Sequence, residues 1–416
     1  MPDNGAEGAA RVLFVAEAVT LAHAARVFAL AQGAERQGFA PILAVDPRFS
    51  GLFPPKPWQS ENIRSISTEA FLGALANGSP IYDPATLRAY VEEDLALLRK
   101  TMPAVVVGDF RLTLSVSARL LSIPYINVTN AYWSPYARQD WCVPSVPWVK
   151  YLGFSAANRI FRSIRKMRFA AHARPLEKLR AEYGLPAKGD DLLRQYSDGD
   201  ICMYADAPEL VPIFDAPSAH RYLGPVAWSP PTPLPTWWSE LDPDKKVIYV
   251  TLGSSGDRSR LPGIVEALSG LGLSVVVASA GATFAAAARS GVYVAPYLPG
   301  DRVVERSALV VCNGGSLTSY QGLMQGVPIL ALPSNLDQFL NSGYLKASDV
   351  GEWIRPERAT IPAIREKAAA MLGDSRMRLA AQAMASTIQR YNPDQRLADA
   401  IGDLCAARAA RSARAI

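Results

Sequence analysis

The chain is poor in the residues that anchor many small or metal-built proteins. It has four cysteines in 416 residues, Cys142, Cys202, Cys312 and Cys405, and no two of them form a Cys-x-x-Cys pair. That spacing argues against a zinc site and against a disulfide framework, and it suits a reducing compartment. Histidine is scarcer still: His23, His172 and His220 are all there is. No apolar run approaches the roughly 20 residues needed to span a bilayer. The N-terminal MPDNGAEGAAR is polar and lacks the basic start and apolar stretch of a secretory signal. A cytoplasmic protein is expected. Charge of one sign is also scarce. Lys plus Arg number 43 against 38 Asp plus Glu, a net charge of +5. That balance suits a pocket for anionic phosphates and falls short of a nucleic-acid footprint.

What is present is apolar and periodic. Hydrophobic residues make up 49% and charged residues 19%, the composition of a folded globular chain. The length suits two domains of about 200 residues. RVLFVA (11–16), a helical stretch (23–37) and PILAV (41–45) form a strand–helix–strand unit. The unit recurs at AVVVGD (104–109), a helix (113–122) and PYINV (124–128), with a further strand at 201–205. Residues 225–235 hold five prolines and read as an extended linker. Beyond it the rhythm restarts: VIYVTL (247–252), a helix (260–270), LSVVVAS (273–279), VYVAPYLP (292–299), ALVVCN (308–313), a helix (317–325) and PILALP (328–333). The expected fold is α/β, two doubly wound parallel-sheet Rossmann-like domains facing across a cleft. The expected domains are 1–228 and 241–395, joined by a linker 229–240. A C-terminal helix from about 396 to 416 is expected to pack back on the first domain.

The stretch 308–341 carries the most chemistry. A buried strand meets a tight turn, Asn313-Gly314-Gly315-Ser316, and a helix begins near Leu317. Glycines leading into a helix N-terminus present bare N–H groups and the positive dipole end to an anion. Asp337 and Gln338 follow another strand and turn, where a carboxylate and an amide can bind sugar hydroxyls. A second post-strand loop, Gly253-Ser254-Ser255-Gly256, adds N–H and O–H donors or is an ordinary α/β loop.

This stretch resembles the signature of the glycosyltransferase family 1 enzymes, which include UDP-glycosyltransferases and antibiotic-modifying transferases. Gly314, Gly315, Thr318, Gly326, Val327, Pro328, Pro333, Asp337, Gln338 and Asn341 stand at matching spacing. The resemblance implies a GT-B fold and a nucleoside-diphosphate-sugar donor, with the base beside Tyr297 and Leu298. Three positions depart from the pattern. The family's phosphate-contacting His is Asn313, its ribose-gripping Glu is Gln321, and a turn glycine is Leu317. Loss of the ribose-binding carboxylate suits a deoxyribose donor such as a dTDP-sugar, with a UDP-sugar as the alternative.

Transfer to a hydroxyl needs a base, and histidine is the natural one near neutral pH. His23 lies just past the first strand, whereas His172 and His220 read as surface residues. The resemblance aligns His23 with the family's catalytic His, with Ala22 and Arg26 standing where the family has Gly and Pro. Asp109 ends a strand and matches the position of the family's acidic partner. By itself it could equally cap a helix, and Glu17 is the substitute candidate. The implied reaction is a single inverting displacement, with helix dipole and N–H donors in place of a metal. Residues 130–154, rich in Tyr, Trp and Pro, are expected to receive a flat or greasy acceptor through Tyr132, Trp133 and Trp141. The basic helix 156–184 is either a solvated surface or a peripheral contact with an anionic membrane. Competing readings are a nucleotide-sugar epimerase of the same fold and a non-catalytic, transferase-like partner protein.

Overall fold

The computed structural model describes residues 8–282 and 290–414. The first seven residues of the polar N-terminal segment and the last two of the expected C-terminal helix lie outside the described residues. In chain order the regular elements begin with β1 (Arg11–Ala16), α1 (Leu21–Arg36), β2 (Ala40–Val45), β3 (Gln59–Asn62), α2 (Thr68–Asn77), α3 (Pro84–Thr101), β4 (Val105–Asp109), α4 (Leu114–Leu120) and β5 (Tyr125–Thr129). They continue with α5 (Val149–Leu152), α6 (Phe154–Glu182), α7 (Leu192–Tyr196), β6 (Ile201–Tyr204) and β7 (His220–Tyr222). Next come β8 (Val247–Thr251), α8 (Leu261–Leu268), β9 (Ser274–Ala278), β10 (Val292–Ala295), α9 (Gly300–Glu305), β11 (Ser307–Cys312), α10 (Ser316–Met324) and β12 (Ile329–Ala331). The chain closes with α11 (Leu336–Ala347), β13 (Gly351–Trp353), α12 (Ile361–Gly373), α13 (Ser375–Ile388) and α14 (Pro393–Arg414).

The chain forms two compact units. The first comprises residues up to Arg138, Ile164–Val226 and everything from Tyr391 on; the second comprises Gln139–Ser163 and Ala227–Arg390. The first unit holds a parallel sheet in the order β3-β2-β1-β4-β5-β6-β7. Strands β1 and β4 are buried on both faces because helices cover both sides of a parallel sheet, which is why they read as unbroken apolar runs. Leu13, Val15 and Val106 meet Leu97 and Leu98 of α3 and Leu114 and Ala118 of α4. Each fully buried Leu or Val there contributes about 1.5–3 kcal/mol. Helix α14 closes against α1, where Arg36 pairs with Asp394 at 2.6 Å.

The second unit has its own parallel sheet, β10-β9-β8-β11-β12-β13. Ile248, Val250 and Val311 pack on Ile264 and Leu268 of α8 and on Ile364 and Met371 of α12. In both sheets the strand order reverses direction at one place, between β1 and β4 and between β8 and β11. Loops at the carboxyl ends of those strand pairs splay apart and leave room for a ligand.

Residues 139–163 group with the second unit, although the sequence pattern assigns them to the first. Val143, Val149, Ala157 and Phe161 form an apolar cluster with Leu336 of α11 packed against it. The Arg355 guanidinium also donates to the Val143 carbonyl at 2.8 Å.

Candidate active site

The first unit brings His23 and Asp109 together. Parallel pairing sets Ala16 of β1 beside Asp109 of β4, at the reversal of strand order. The chain leaves β1, turns, and enters α1 through the extended residue Thr20. That puts His23 in the first turn of α1, over the end of β4. Its Nδ1 lies 2.8 Å from Asp109 Oδ1. Asp109 can only accept there as a carboxylate, so Nδ1 carries the hydrogen and Nε2 is the basic nitrogen. The Asp109 side chain is 2% exposed and that of His23 is 21% exposed. Asp109 caps no helix, because α4 starts five residues further on with Thr113 before it.

Phe110 fixes the other face of the imidazole. Its φ is +59°, a left-handed conformation that a bulky residue rarely adopts. The ring stacks on His23 at 5.0 Å and 12°. Arg26, three residues along α1 and 4% exposed, approaches the second Asp109 oxygen at 3.2 Å. The sequence pattern marks Arg26 only as a departure from the family's Pro, and Phe110 not at all. An arginine on the buried face of an otherwise apolar helix, one turn from the histidine, was the available signal.

Glu17 does not serve as the substitute partner. Its carboxylate is buried and engaged by Arg111 at 3.0 Å and by Tyr90 at 2.8 Å. Burial by itself would lower the Arg111 guanidinium, but the Asp94 and Glu17 carboxylates around it raise it further above its ordinary range. The other two histidines are not simple surface residues. His220 is a strand residue of β7 bonded to the Tyr204 hydroxyl at 2.7 Å. Burial lowers His172 and His220 below the usual imidazole value.

From His23 a line of rings runs along the first unit. Phe110 meets the edge of Tyr196 at 5.5 Å, Tyr196 meets Trp133 at 5.2 Å, and Trp133 meets Phe169 of α6 at 6.5 Å. Trp133 is half-buried and offers surface to a flat ligand, whereas Tyr132 is 1% exposed and belongs to the core. Trp141 belongs to the second unit, where its carbonyl accepts from Arg162 at 2.9 Å.

In the second unit the loops after β8 and β11 are tied together. Asn313 Nδ2 donates to Ser255 Oγ at 3.1 Å, and Gly315 N–H donates to Asn313 Oδ1 at 3.1 Å. Gly314 has φ +78°, and a Cβ there would sit 2.5 Å from Ser342 Oγ. Only glycine fits. Gly315 precedes α10 and no side chain caps that helix, so its N-terminus keeps the character of an anion site. Ser254 belongs to the loop after β8, and Ser316 and Thr318 stand in the first turn of α10. Burial pushes the Cys312 thiol up to about 11, so it stays a neutral thiol beneath the turn.

Gln338 is 1% exposed, and its amide is used within the protein. Its Oε1 accepts from Ser334 N–H at 2.8 Å, its Nε2 donates to Ser255 at 3.4 Å, and its own N–H is capped by Asn335. Asp337, half-buried in the first turn of α11, is the more accessible of the pair. Gln321 Nε2 donates to the Trp228 carbonyl at 2.6 Å and to Ser229 Oγ at 3.1 Å. Tyr297 is 37% exposed and Leu298 is buried.

All four cysteines are free. Two Asp-x-Asp triplets occur, at 198–200 and 242–244. Asp198 is taken by Arg119, Arg180 and Lys188, and Asp242 by Lys245. Among the described residues no three His, Cys, Asp or Glu side chains are grouped to hold a metal. No described helix is long and apolar enough to cross a membrane.

Two parallel-sheet α/β units, each with its polar residues at the reversal of strand order, define the GT-B class of glycosyltransferases. The chain is 43% identical over 384 residues to a PGL/p-HBAD biosynthesis glycosyltransferase of Mycobacterium tuberculosis (strain H37Ra), covering 92% of this chain and 89% of that one. It is 43% identical over 380 residues to a PGL/p-HBAD biosynthesis rhamnosyltransferase of Mycobacterium bovis (strain BCG), covering 91% and 84%. The chain belongs to this family of glycosyltransferases. An M. bovis BCG relative named an inactive PGL/p-HBAD biosynthesis glycosyltransferase is 46% identical over 258 residues, 62% of this chain and 70% of its own. No family model matches the chain. Among solved structures, spinosyn forosaminyltransferase SpnP superposes with TM-score 0.68 at 18% identity, over 94% of this chain and 99% of its own. Spinosyn rhamnosyltransferase SpnG complexed with thymidine diphosphate does so with TM-score 0.64 at 18% identity, over the same shares.

Proposed function

We propose that the chain moves a sugar, with inversion and without a metal, from a dTDP- or UDP-sugar to a hydroxyl of a small-molecule, natural-product or lipid acceptor of the PGL/p-HBAD kind. The observation that carries this reading is the 2.8 Å contact between His23 Nδ1 and Asp109 Oδ1. In the proposed step the acceptor oxygen attacks the anomeric carbon and its proton passes to His23 Nε2. The bond from that carbon to the diphosphate breaks, and the electron pair leaves with the nucleoside diphosphate. Asp109 steadies the imidazolium. N–H groups at the α10 end of the 313–318 turn and the α10 dipole stabilise the leaving charge. Half-buried Trp133 and its ring neighbours favour a flat or greasy acceptor.

A deoxyribose donor fits Gln321, whose amide hydrogens are already bonded to the Trp228 carbonyl and Ser229. The thymidine diphosphate carried by SpnG and the rhamnosyltransferase relative support a dTDP-sugar such as dTDP-rhamnose. Titration calorimetry with dTDP, UDP and GDP in excess EDTA tests the donor half. Micromolar binding of dTDP or UDP is expected. Binding of none of the three would favour a non-catalytic partner protein, the state named for one relative. Donor consumed without any acceptor would favour epimerisation.

The same reading includes a cytoplasmic location and peripheral contact with an anionic membrane. The basic helix 156–184 carries Arg159, Arg162, Arg165, Lys166, Arg168, Arg174, Lys178 and Arg180 against Glu177 and Glu182. Ile160 and Met167 on it are 43% and 62% exposed. Sedimentation with phosphatidylglycerol vesicles, and not with phosphatidylcholine vesicles, is expected. Unchanged binding after Arg162, Arg165 and Lys166 are all replaced by Glu contradicts it.

A further inference from the structure

The geometry points to Arg26 as a positioning residue that holds the second oxygen of the Asp109 carboxylate and thereby aims the first at His23. The inference rests on the proposed role of His23 as the base. His23 and Arg26 are three apart on α1, so both side chains leave the same face of the helix. That face covers the end of β4, and the two residues divide one carboxylate between them. His23 takes Oδ1 at 2.8 Å, and Arg26 Nη1 stands 3.2 Å from Oδ2. Asp109 Oδ2 is buried and makes no hydrogen bond, so Arg26 supplies its compensating charge.

The guanidinium is itself fixed from behind. Arg26 Nη2 donates to Asn130 Oδ1 at 2.9 Å. Asn130 Nδ2 donates to Asp206 Oδ2 at 3.1 Å, and that oxygen also accepts from the Ala131 N–H at 2.6 Å. Arg26, Asn130 and Asp206 are 4%, 7% and 0% exposed. A buried charge with one partner removed is costly, and a bridge from β4 to the turn after β5 leaves Asp109 little freedom to rotate. Arginine suits this place and lysine does not, because a planar fork reaches two partners in fixed directions. Charged groups on the neighbouring elements include Asp206 after β6, reached through Asn130, and Glu17 after β1, whose carboxylate is bound to Arg111.

The test measures transfer from dTDP-rhamnose to methyl 4-hydroxybenzoate, a flat phenolic probe, by wild type, Arg26→Met, Arg26→Lys and His23→Ala. For Arg26→Met, kcat is expected to fall about 10²-fold with KM little changed, since a misplaced catalytic group costs about that much. The acidic limb of the kcat/KM profile is expected to move to higher pH, because a cation beside the imidazolium has been removed. Arg26→Lys is expected to recover part of the rate and most of the pH profile. A folded Arg26→Met with wild-type kcat, or Met and Lys variants equally impaired with an unmoved pH profile, overturns the proposal. If Arg26→Met does not fold, Arg26→Lys decides: a several-fold loss of kcat at unchanged dTDP affinity supports the role, and a wild-type rate overturns it. His23→Ala separates the two levels. A collapse there with Arg26→Met intact removes only the role of Arg26. A wild-type rate in His23→Ala, or no transfer by the wild type, removes the underlying base assignment and this proposal with it.

Discussion

The ring of Phe110 lies against the ring of His23, centroids 5.0 Å apart and planes 12° from parallel. The residue is held there at φ +59°, so the backbone pays strain to aim the ring. A stacked pair contributes about 0.5–1.5 kcal/mol. Phe110→Leu keeps apolar bulk and loses the stack, so a two- to tenfold drop in kcat is expected, with the fold retained. Steady-state kinetics with circular dichroism checks both parts.

Gly314 is the position where the donor turn tolerates no side chain. Gly314→Ala forces a Cβ toward Ser342 Oγ and toward Ala331 Cβ, at 2.5 and 3.2 Å, and demands a left-handed alanine. Together these are expected to cost about 2–4 kcal/mol by chemical denaturation. Adding Ser342→Ala removes the clashing oxygen and is expected to restore part of the loss, while the conformational part of about 1 kcal/mol remains. Full restoration would show that φ carries no penalty there.

Gln321 marks the donor preference. Gln321→Glu turns a carboxylate oxygen toward the Trp228 carbonyl, which now accepts a hydrogen bond at 2.6 Å. The change is expected to cost about 1 kcal/mol of stability. It is also expected to move nucleotide preference from dTDP toward UDP by up to about tenfold, through a charge-assisted bond to the extra ribose hydroxyl. Calorimetry with both nucleotides on both proteins reads the ratio.

Much of this was legible in the chain. Apolar runs such as RVLFVA and VIYVTL appear as strands because parallel strands covered on both faces need no alternation. The Asn313–Ser316 turn announced itself because glycines before a helix leave a local trace. Strands β3 and β7, QSEN and HRY, left none, since short polar strands toward the sheet edge carry no apolar pattern. Arg26, Phe110 and Asn130 escaped for a different reason. Their roles depend on partners 83, 87 and 76 positions away or on a backbone angle, and neither is written in local spacing. Residues 139–163 misled because tertiary packing on Leu336, not sequence neighbourhood, decides their unit.

His172 and His220 make stability depend on pH. Burial lowers both below the ordinary value of 6.5, with Lys188 adding to the effect at His220 and Arg168 at His172. The unfolded chain therefore binds protons there that the native protein refuses. Stability is full above about pH 6.5 and falls as the pH drops below it. Scanning calorimetry between about pH 7.5 and 5.5 is expected to show Tm declining toward acid. The decline should be shallower in the His172→Gln, His220→Gln double variant. A Tm that rises toward acid contradicts the assignment.

The most direct measurement is the rate of rhamnosyl transfer from dTDP-rhamnose to the phenolic probe in excess EDTA, comparing wild type with His23→Ala. Transfer by the wild type that persists in EDTA, and falls by about 10²–10⁴-fold in the variant, is the expected result. Equal rates for the two proteins, or wild-type activity that returns only when a divalent metal is added, would contradict it.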